Sequence, residues 1–414
     1  MMDKKIRDCI FKRIESYTGE MIDLQIKLTA IPALSPEYQG AGEARKVAFL
    51  ESYLEQSGFT AFQKIDAPDD RVSAGYRPNL LVNCPGKNET RRLWILTHTD
   101  VVPPGDLGLW DFDPYKGFAK EGCVYGRGTE DNQQDLVASI FAVKAFMDEK
   151  IMPESSIGLA FVADEETSSR MGLDYVLTHP ANPFRKQDLI IVPDSGEPDG
   201  AAIEIAEKSI LWLRFVTTGV QCHGSRPALG KNAFLASSCL IAELQTLYKT
   251  FHLRDKLYTP PESTFQPTKK EANFASVNTI PGEDTFYMDC RVLPQYDLAE
   301  VMAEIQRIAD RIGRRFQVSI DIHPIQKVQA TAPTPVNAVV VDALKKAIRN
   351  VYQVRGKTVG VGAGTVAAVF RRYGYEAAVW SRIHYKAHQP NECCLIDNMV
   401  GDAKVFAHVM LQSF

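Results

Sequence analysis

Three short runs, RRLWILTH, SSIGLAFVA and DLIIVPD, are apolar almost throughout. They alternate with two segments of helical period, GEARKVAFLESYLEQSG and NQQDLVASIFAVKAFMDEK. Runs of this kind lack the polar alternation of a half-wet strand, so they read as strands buried inside a sheet. Their alternation with helices predicts an α/β fold, a mainly parallel mixed sheet covered by helices on both faces. At 414 residues the chain is too long for one ordinary core, and two domains are expected.

The texture changes near residue 207. A strand (ILWLRFVTTG) leads to a helix (NAFLASSCLIAELQTLYKT) and then to a loop rich in Pro, Thr and Lys (YTPPESTFQPTKK). Two strands (ANFASVNTI and DTFYMDCRVL), a helix (LAEVMAEIQRIADRIG) and a strand (FQVSIDIHPI) follow. The order β-α-β-β-α-β is that of a ferredoxin-like α+β module. From about residue 327 the α/β texture returns. The expected layout is therefore a catalytic domain made of residues 1–206 and 327–414, with a small domain, 207–326, inserted into it.

Composition excludes several classes. Hydrophobic residues make up 45% of the chain and charged residues 24%, and the net charge is -4. A basic surplus toward nucleic acid is missing. No apolar run approaches the ~20 residues of a membrane span, and the opening segment lacks the apolar core of a secretion signal. The eight cysteines are scattered without a CxxC pair, which excludes a thiolate zinc finger and reads as reduced thiols in a cytoplasmic protein. Neither a nucleic-acid nor a membrane partner is expected.

Chemistry gathers where the apolar strands end. RRLWILTH runs into His98, Thr99 and Asp100; His98 and Asp100 share a strand face, and a carboxylate there can orient an imidazole that binds metal. The alternative is a buried histidine with a local hydrogen bond. In VYGRGTEDNQQDL, Asp131 precedes a helix, either as its N-cap or as a bridge between metals. SSIGLAFVA ends in Asp164, Glu165 and Glu166, three acids that are costly together without a cation, unless they form a solvated turn. DLIIVPD ends in Asp194, and SRIHYKAHQPNE offers His384 and His388 as competitors for one role. Histidines and carboxylates at neighbouring strand ends suit zinc, and two adjacent metals are a known hydrolytic device.

Taken in order, the HTDVVP, YGRGTED, DEE, VPD, CHGSRP, NTIPGE and AHQPNE segments resemble those of the co-catalytic zinc peptidases and deacylases. That family includes succinyl-diaminopimelate desuccinylase, acetylornithine deacetylase, aminoacylase, carnosinase-type dipeptidases and carboxypeptidase G, and the resemblance spans nearly the whole chain. It implies two zinc ions, with cobalt or manganese as substitutes. His98 and Asp194 would hold one, Glu166 and His388 the other, and Asp131 would bridge them, followed by a cis peptide to Asn132. Asp100 would orient His98, and Glu165 would be the general base.

The resemblance also implies that the inserted domain is a lid and a homodimer contact. His223 would stabilise the oxyanion in the partner's site. Asn278 and Arg291 would contact substrate, though Arg291 has Asp289 as a neighbour it could pair with. Gly364 and Thr365 would present backbone N–H groups to a substrate carboxylate.

Two departures bear on substrate. Many relatives carry Lys-Gly after the bridging Asp, whereas this chain has Asn132-Gln133-Gln134. Asp194 stands where deacylases and carboxypeptidases often carry Glu and dipeptidases and aminopeptidases often carry Asp. The expectation is a metallopeptidase acting on a small peptide with a free amine. The rival within the family is an N-acyl amino acid deacylase, such as a desuccinylase. Outside it, the rivals are a non-catalytic binding protein, opposed by the complete ligand set, and a structural metal protein, opposed by the spare acid Glu165.

Overall fold

The computed structural model describes residues 3–362 and 364–414. The chain divides into two compact units. The first takes in residues up to Ile205, Thr334–Val359 and Thr365–Phe414; the second takes in Ala206–Pro333 and Gly360–Gly364.

The first unit is built on an eight-stranded sheet. Its order is Phe62–Lys64, Leu80–Cys84, Ser155–Val162, Asn88–His98, Leu189–Gly196, Ala377–Ser381, Ala202–Glu207 and Lys357–Val361. The sheet is mixed, with its parallel part at the centre. Asn88–His98 pairs in parallel with Ser155–Val162 and with Leu189–Gly196, and Leu189–Gly196 pairs in parallel with Ala377–Ser381. Leu80–Cys84 and Ala202–Glu207 join that block antiparallel. The three apolar runs form central strands because only there are both faces dry: all eight residues of Ser155–Val162 are buried. Gly158 lies opposite Trp94, where a Cβ would come within 2.2 Å of the indole ring. Trp94, Leu96, Ile190 and Val192 join the helices Leu173–Thr178 and Val366–Arg372 in one apolar cluster. The helix Gln134–Asp148 packs on Asn88–His98, Ser155–Val162 and the last helix, Ile396–Met410.

Because the four central strands run the same way, their C-terminal ends meet along one edge. That edge carries His98, the segment after Val162, Asp194 and the loop after Ser381. Open α/β sheets bind their ligands at such an edge.

The second unit is a four-stranded antiparallel sheet in the order Thr264–Lys270, Glu283–Val292, Ser209–Thr218, Ser319–Val328. With the helices Ala233–Leu244 and Leu298–Phe316, the order is β-α-β-β-α-β. Leu211, Leu213 and Phe215 alternate into a core shared with both helices, and Phe215 stacks on Phe286 at 4.5 Å.

One strand is not where the sequence pattern places it. ANFASVNTI contributes only Thr279–Ile280, paired with Cys222–His223. The sheet instead uses Thr264–Lys270, from the segment read as a loop. Pro267 hid it, since proline argues against a strand interior. The strand lies at the sheet edge, and its register shifts between Pro267 and Lys269, the two circumstances in which proline is tolerated. The helix expected to stop at Gly313 runs on to Phe316 and ends at Gln317 in the left-handed conformation.

All eight cysteines are free thiols. Among the described residues no helix is long and apolar enough to cross a membrane.

Candidate dinuclear metal site

At the sheet edge two groups of side chains offer ligand atoms within 4.8 Å of one another: His98, Asp131 and Asp194, and Asp131, Glu166 and His388. Asp131 belongs to both. Its Oδ1 lies 2.9 Å from His98 Nε2 and its Oδ2 lies 3.0 Å from His388 Nε2. His98 Nε2 is also 3.3 Å from Asp194 Oδ1, and His388 Nε2 is 3.1 Å from Glu166 Oε2. A carboxylate with one oxygen turned to each imidazole has the shape of a bridging ligand.

Local sequence explains how Asp131 reaches this position. Gly128 precedes it at φ +85°, and a Cβ there would sit 2.5 Å from Val101 Cγ1. The Asp131–Asn132 peptide bond is cis. The helix Gln134–Asp148 has no side-chain cap, so Asp131 is not serving as one. Of the two candidate histidines, His388, at φ +61°, turns its ring to Glu166 and Asp131, whereas His384 gives its backbone N–H to Glu130.

Asp100 faces His98 with both its backbone and its side chain. His98 Nδ1 bonds the Asp100 backbone carbonyl at 3.0 Å, while the Asp100 carboxylate stands 3.6 Å off. That carboxylate accepts the backbone N–H groups of Glu165 at 3.1 Å and Glu166 at 3.0 Å. Asp100 thereby fixes the turn that presents the two glutamates.

Three further residues organise the site and were not singled out for it in the sequence. Glu392 accepts from Arg127 at 2.5 Å and from the backbone N–H groups of Gly128, Glu130 and Asp131 at 3.0, 3.0 and 3.2 Å. Glu130 accepts from the backbone of His384, Lys386 and Ala387. Asn132 bonds to the His98 and Asp194 strands. Their partners are mostly backbone groups far away in sequence, which leave no spacing to read.

The electrostatics call for a cation. Burial raises the pKa of Glu165 well above the usual carboxylate range, and the charges of Asp194, Glu166 and Asp131 add to it. Burial and Asp131 push Glu166 up to about 7. His388, hydrogen-bonded to Asp131 and Glu166, rises to about 10. Burial works against a charged His98, yet Asp100, Asp131 and Asp194 outweigh it and raise its pKa well above normal. Without metal the cluster holds protons where positive charge is needed. Carboxylate and imidazole donors in this arrangement fit a pair of divalent ions, which would displace those protons.

Of the other expected site residues, His223, Asn278, Arg291 and Gly364 belong to the second unit and Thr365 to the first. His223 and Asn278 come together in the second unit, where His223 pairs with Thr279 and Gly224 N–H donates to Asn278 O at 2.6 Å. His223 is exposed, and its Nδ1 accepts from Ser225 N–H at 3.1 Å. Arg291 forks onto Asp289 at 2.8 and 3.0 Å and donates to Gly362 O at 2.7 Å. The pairing with Asp289 is thus formed. Gly364 closes the second unit, and Thr365 caps the helix Val366–Arg372 by accepting from Ala367 N–H.

Comparison with known proteins agrees with this geometry. A metallohydrolase of Methanococcus maripaludis, itself uncharacterized, is 37% identical over 96% of this chain and 100% of its own length. A succinyl-diaminopimelate desuccinylase of Wolbachia pipientis is 25% identical over 91% of this chain and 89% of its own. Human carnosine dipeptidase 1 shares the fold with a TM-score of 0.75, at 18% identity and 98% coverage of both chains. The model of peptidase family M20/M25/M40 matches residues 94–412. That span contains every residue of both ligand groups, and the chain belongs to this family as a metal-dependent hydrolase.

Proposed function

We propose that the protein is a dinuclear metallopeptidase that cleaves the amide bond of a small peptide. The observation that carries this reading is the Asp131 carboxylate shared between two ligand groups, with the spare acid Glu165 beside them. His98 and Asp194 would hold one ion, Glu166 and His388 the other, and Asp131 both. Zinc suits the mixed nitrogen and oxygen donors, with cobalt or manganese as substitutes. When bound, a metal pair supplies Lewis acidity to the scissile carbonyl and to a water at neutral pH.

The chain's own residues do the rest. Glu165 takes the proton of the attacking water and returns it to the leaving amine. Its raised pKa comes first from burial and then from the charges of Asp194, Glu166 and Asp131, and the ions would offset only the carboxylate part. Asp100 holds Glu165 and Glu166 in register through their backbone N–H groups. We assign oxyanion stabilisation to His223: with Nδ1 accepting from Ser225, the neutral ring carries its proton on Nε2 and can donate it as a hydrogen bond. Asn278, Arg291 and the Gly364–Thr365 segment are assigned to substrate oxygens. The second unit would be the lid and the contact of a homodimer, in a cytoplasmic enzyme. Aspartate at 194 favours an unblocked peptide over an N-acyl amino acid.

Metal-loaded protein, with a chelator control, should be offered unblocked dipeptides beside N-acetyl and N-succinyl amino acids. Metal-dependent cleavage of the unblocked dipeptides supports a peptidase. Cleavage restricted to the acylated compounds makes the enzyme a deacylase and overturns the argument from Asp194.

A further inference from the structure

We propose that the two residues flanking the bridging aspartate, Glu130 and Asn132, are positioning residues with separate duties: Asn132 sets the His98–Asp131–Asp194 group, and Glu130 sets the Asp131–Glu166–His388 group. This rests on the dinuclear reading above.

The case for Asn132 begins with the sheet. The parallel ladder between Asn88–His98 and Leu189–Gly196 pairs Leu93 with Leu189, Trp94 with Ile190 and Ile95 with Ile191, and stops there. His98 and Asp194 lie beyond its last rung, and Pro193 has no N–H with which to extend it. The Asn132 side chain bridges the two strands at that point. Its amide oxygen accepts His98 N–H at 3.2 Å, and its amide nitrogen donates to Pro193 O at 2.9 Å and reaches Asp194 Oδ1 at 3.4 Å. A carboxamide has both the acceptor and the donor this needs; aspartate lacks the donor and leucine lacks both. With the side chain only 2% exposed, water is poorly placed to replace it.

Glu130 points the other way. Its carboxylate gathers the N–H groups of His384, Lys386 and Ala387, the stretch of loop that ends in His388. Three backbone donors need the acceptor capacity of a carboxylate; glutamine would turn an NH2 toward some of them. The carboxylate is held in turn by the fold, since Glu130 is 3% exposed and its own N–H is bonded by Glu392. Three consecutive residues thus serve three ends: Asp131 would be shared by both ions, Asn132 ties together the strands of His98 and Asp194, and Glu130 places the loop that carries His388, while Asp100 holds Glu166.

The test isolates each ion. In a His388→Ala background only the His98 group can hold metal well; in an Asp194→Ala background, only the Glu166 group. Metal-free proteins are titrated with zinc by calorimetry, and folding is checked by circular dichroism. Asn132→Leu, and separately the nearly isosteric Asn132→Asp, should weaken the remaining ion ~10–100-fold in the His388→Ala background and leave it unchanged in the other. Glu130→Gln should do the reverse. Equal weakening in both backgrounds, or none in either, overturns the division of labour while leaving the dinuclear site standing. An unsubstituted protein that takes up fewer than two ions overturns the dinuclear reading itself and this inference with it.

Discussion

Arg127 donates to Glu392 at 2.5 Å, and both side chains are shut away from solvent. The pair lies directly behind Asp131, because Glu392 also accepts the N–H of that residue. Removing one partner of a buried ion pair strands the other, at a cost of about 3–5 kcal/mol. Arg127→Ala should therefore lower unfolding free energy by that amount. Urea denaturation of the parent, Arg127→Ala, Glu392→Gln and the double variant gives the coupling. The double variant should lose less than the sum of the two singles; strict additivity would show that the pair contributes nothing as a pair.

Glu165→Gln should reduce turnover by ~10²–10⁴-fold, the range expected for a general base. Metal content, measured by elemental analysis, should stay at the level of the parent, because Glu165 belongs to neither ligand group. Activity near that of the parent would remove Glu165 from the role of base.

His408 supplies a pH dependence remote from the metal ligands. Burial, helped by Arg7, holds its pKa down to about 4 from an ordinary 6.5. The unfolded chain takes up that proton near pH 6.5, the folded protein only near pH 4. This contribution is whole above pH 6.5 and is lost as pH falls through the window, to the extent of on the order of 3 kcal/mol. The stability of the parent relative to His408→Leu should be constant above pH 6.5 and fall by on the order of 3 kcal/mol as pH drops from 6.5 to 4. A difference that does not change with pH would mean that the imidazole titrates normally.

Gly158→Ala places a methyl group 2.2 Å from a carbon of the Trp94 ring, inside a strand buried on every residue. Overpacking of that kind costs about 1–3 kcal/mol. A fall of this size in thermal or urea stability, with turnover per folded molecule preserved, is the expected outcome; a neutral substitution would show that Trp94 has room to move.

What the sequence makes legible follows from distance. The central strands were readable because burial on both faces removes polar alternation, and His98, Asp194 and the 164–166 acids were readable because they interrupt such strands at their ends. The cis bond before Asn132 and the choice of bridging residue came from resemblance rather than from any local pattern. Glu130, Asn132 and Glu392 escaped for a physical reason. Each acts largely on backbone N–H or C=O groups, which every residue possesses, so their partners carry no signature. The edge strand Thr264–Lys270 escaped because proline is a warning against strands in general, and the exception depends on edge position, which only the assembled sheet defines.

The double use of Asp131 makes the centre unequal in its tolerance of change. His98 and Asp194 are private to one ligand group, and Glu166 and His388 to the other, so losing any of these four leaves one group intact. Asp131 is the articulation point: its loss opens both groups at once. A change at a private residue leaves the other group complete, whereas a change at Asp131 touches both groups together.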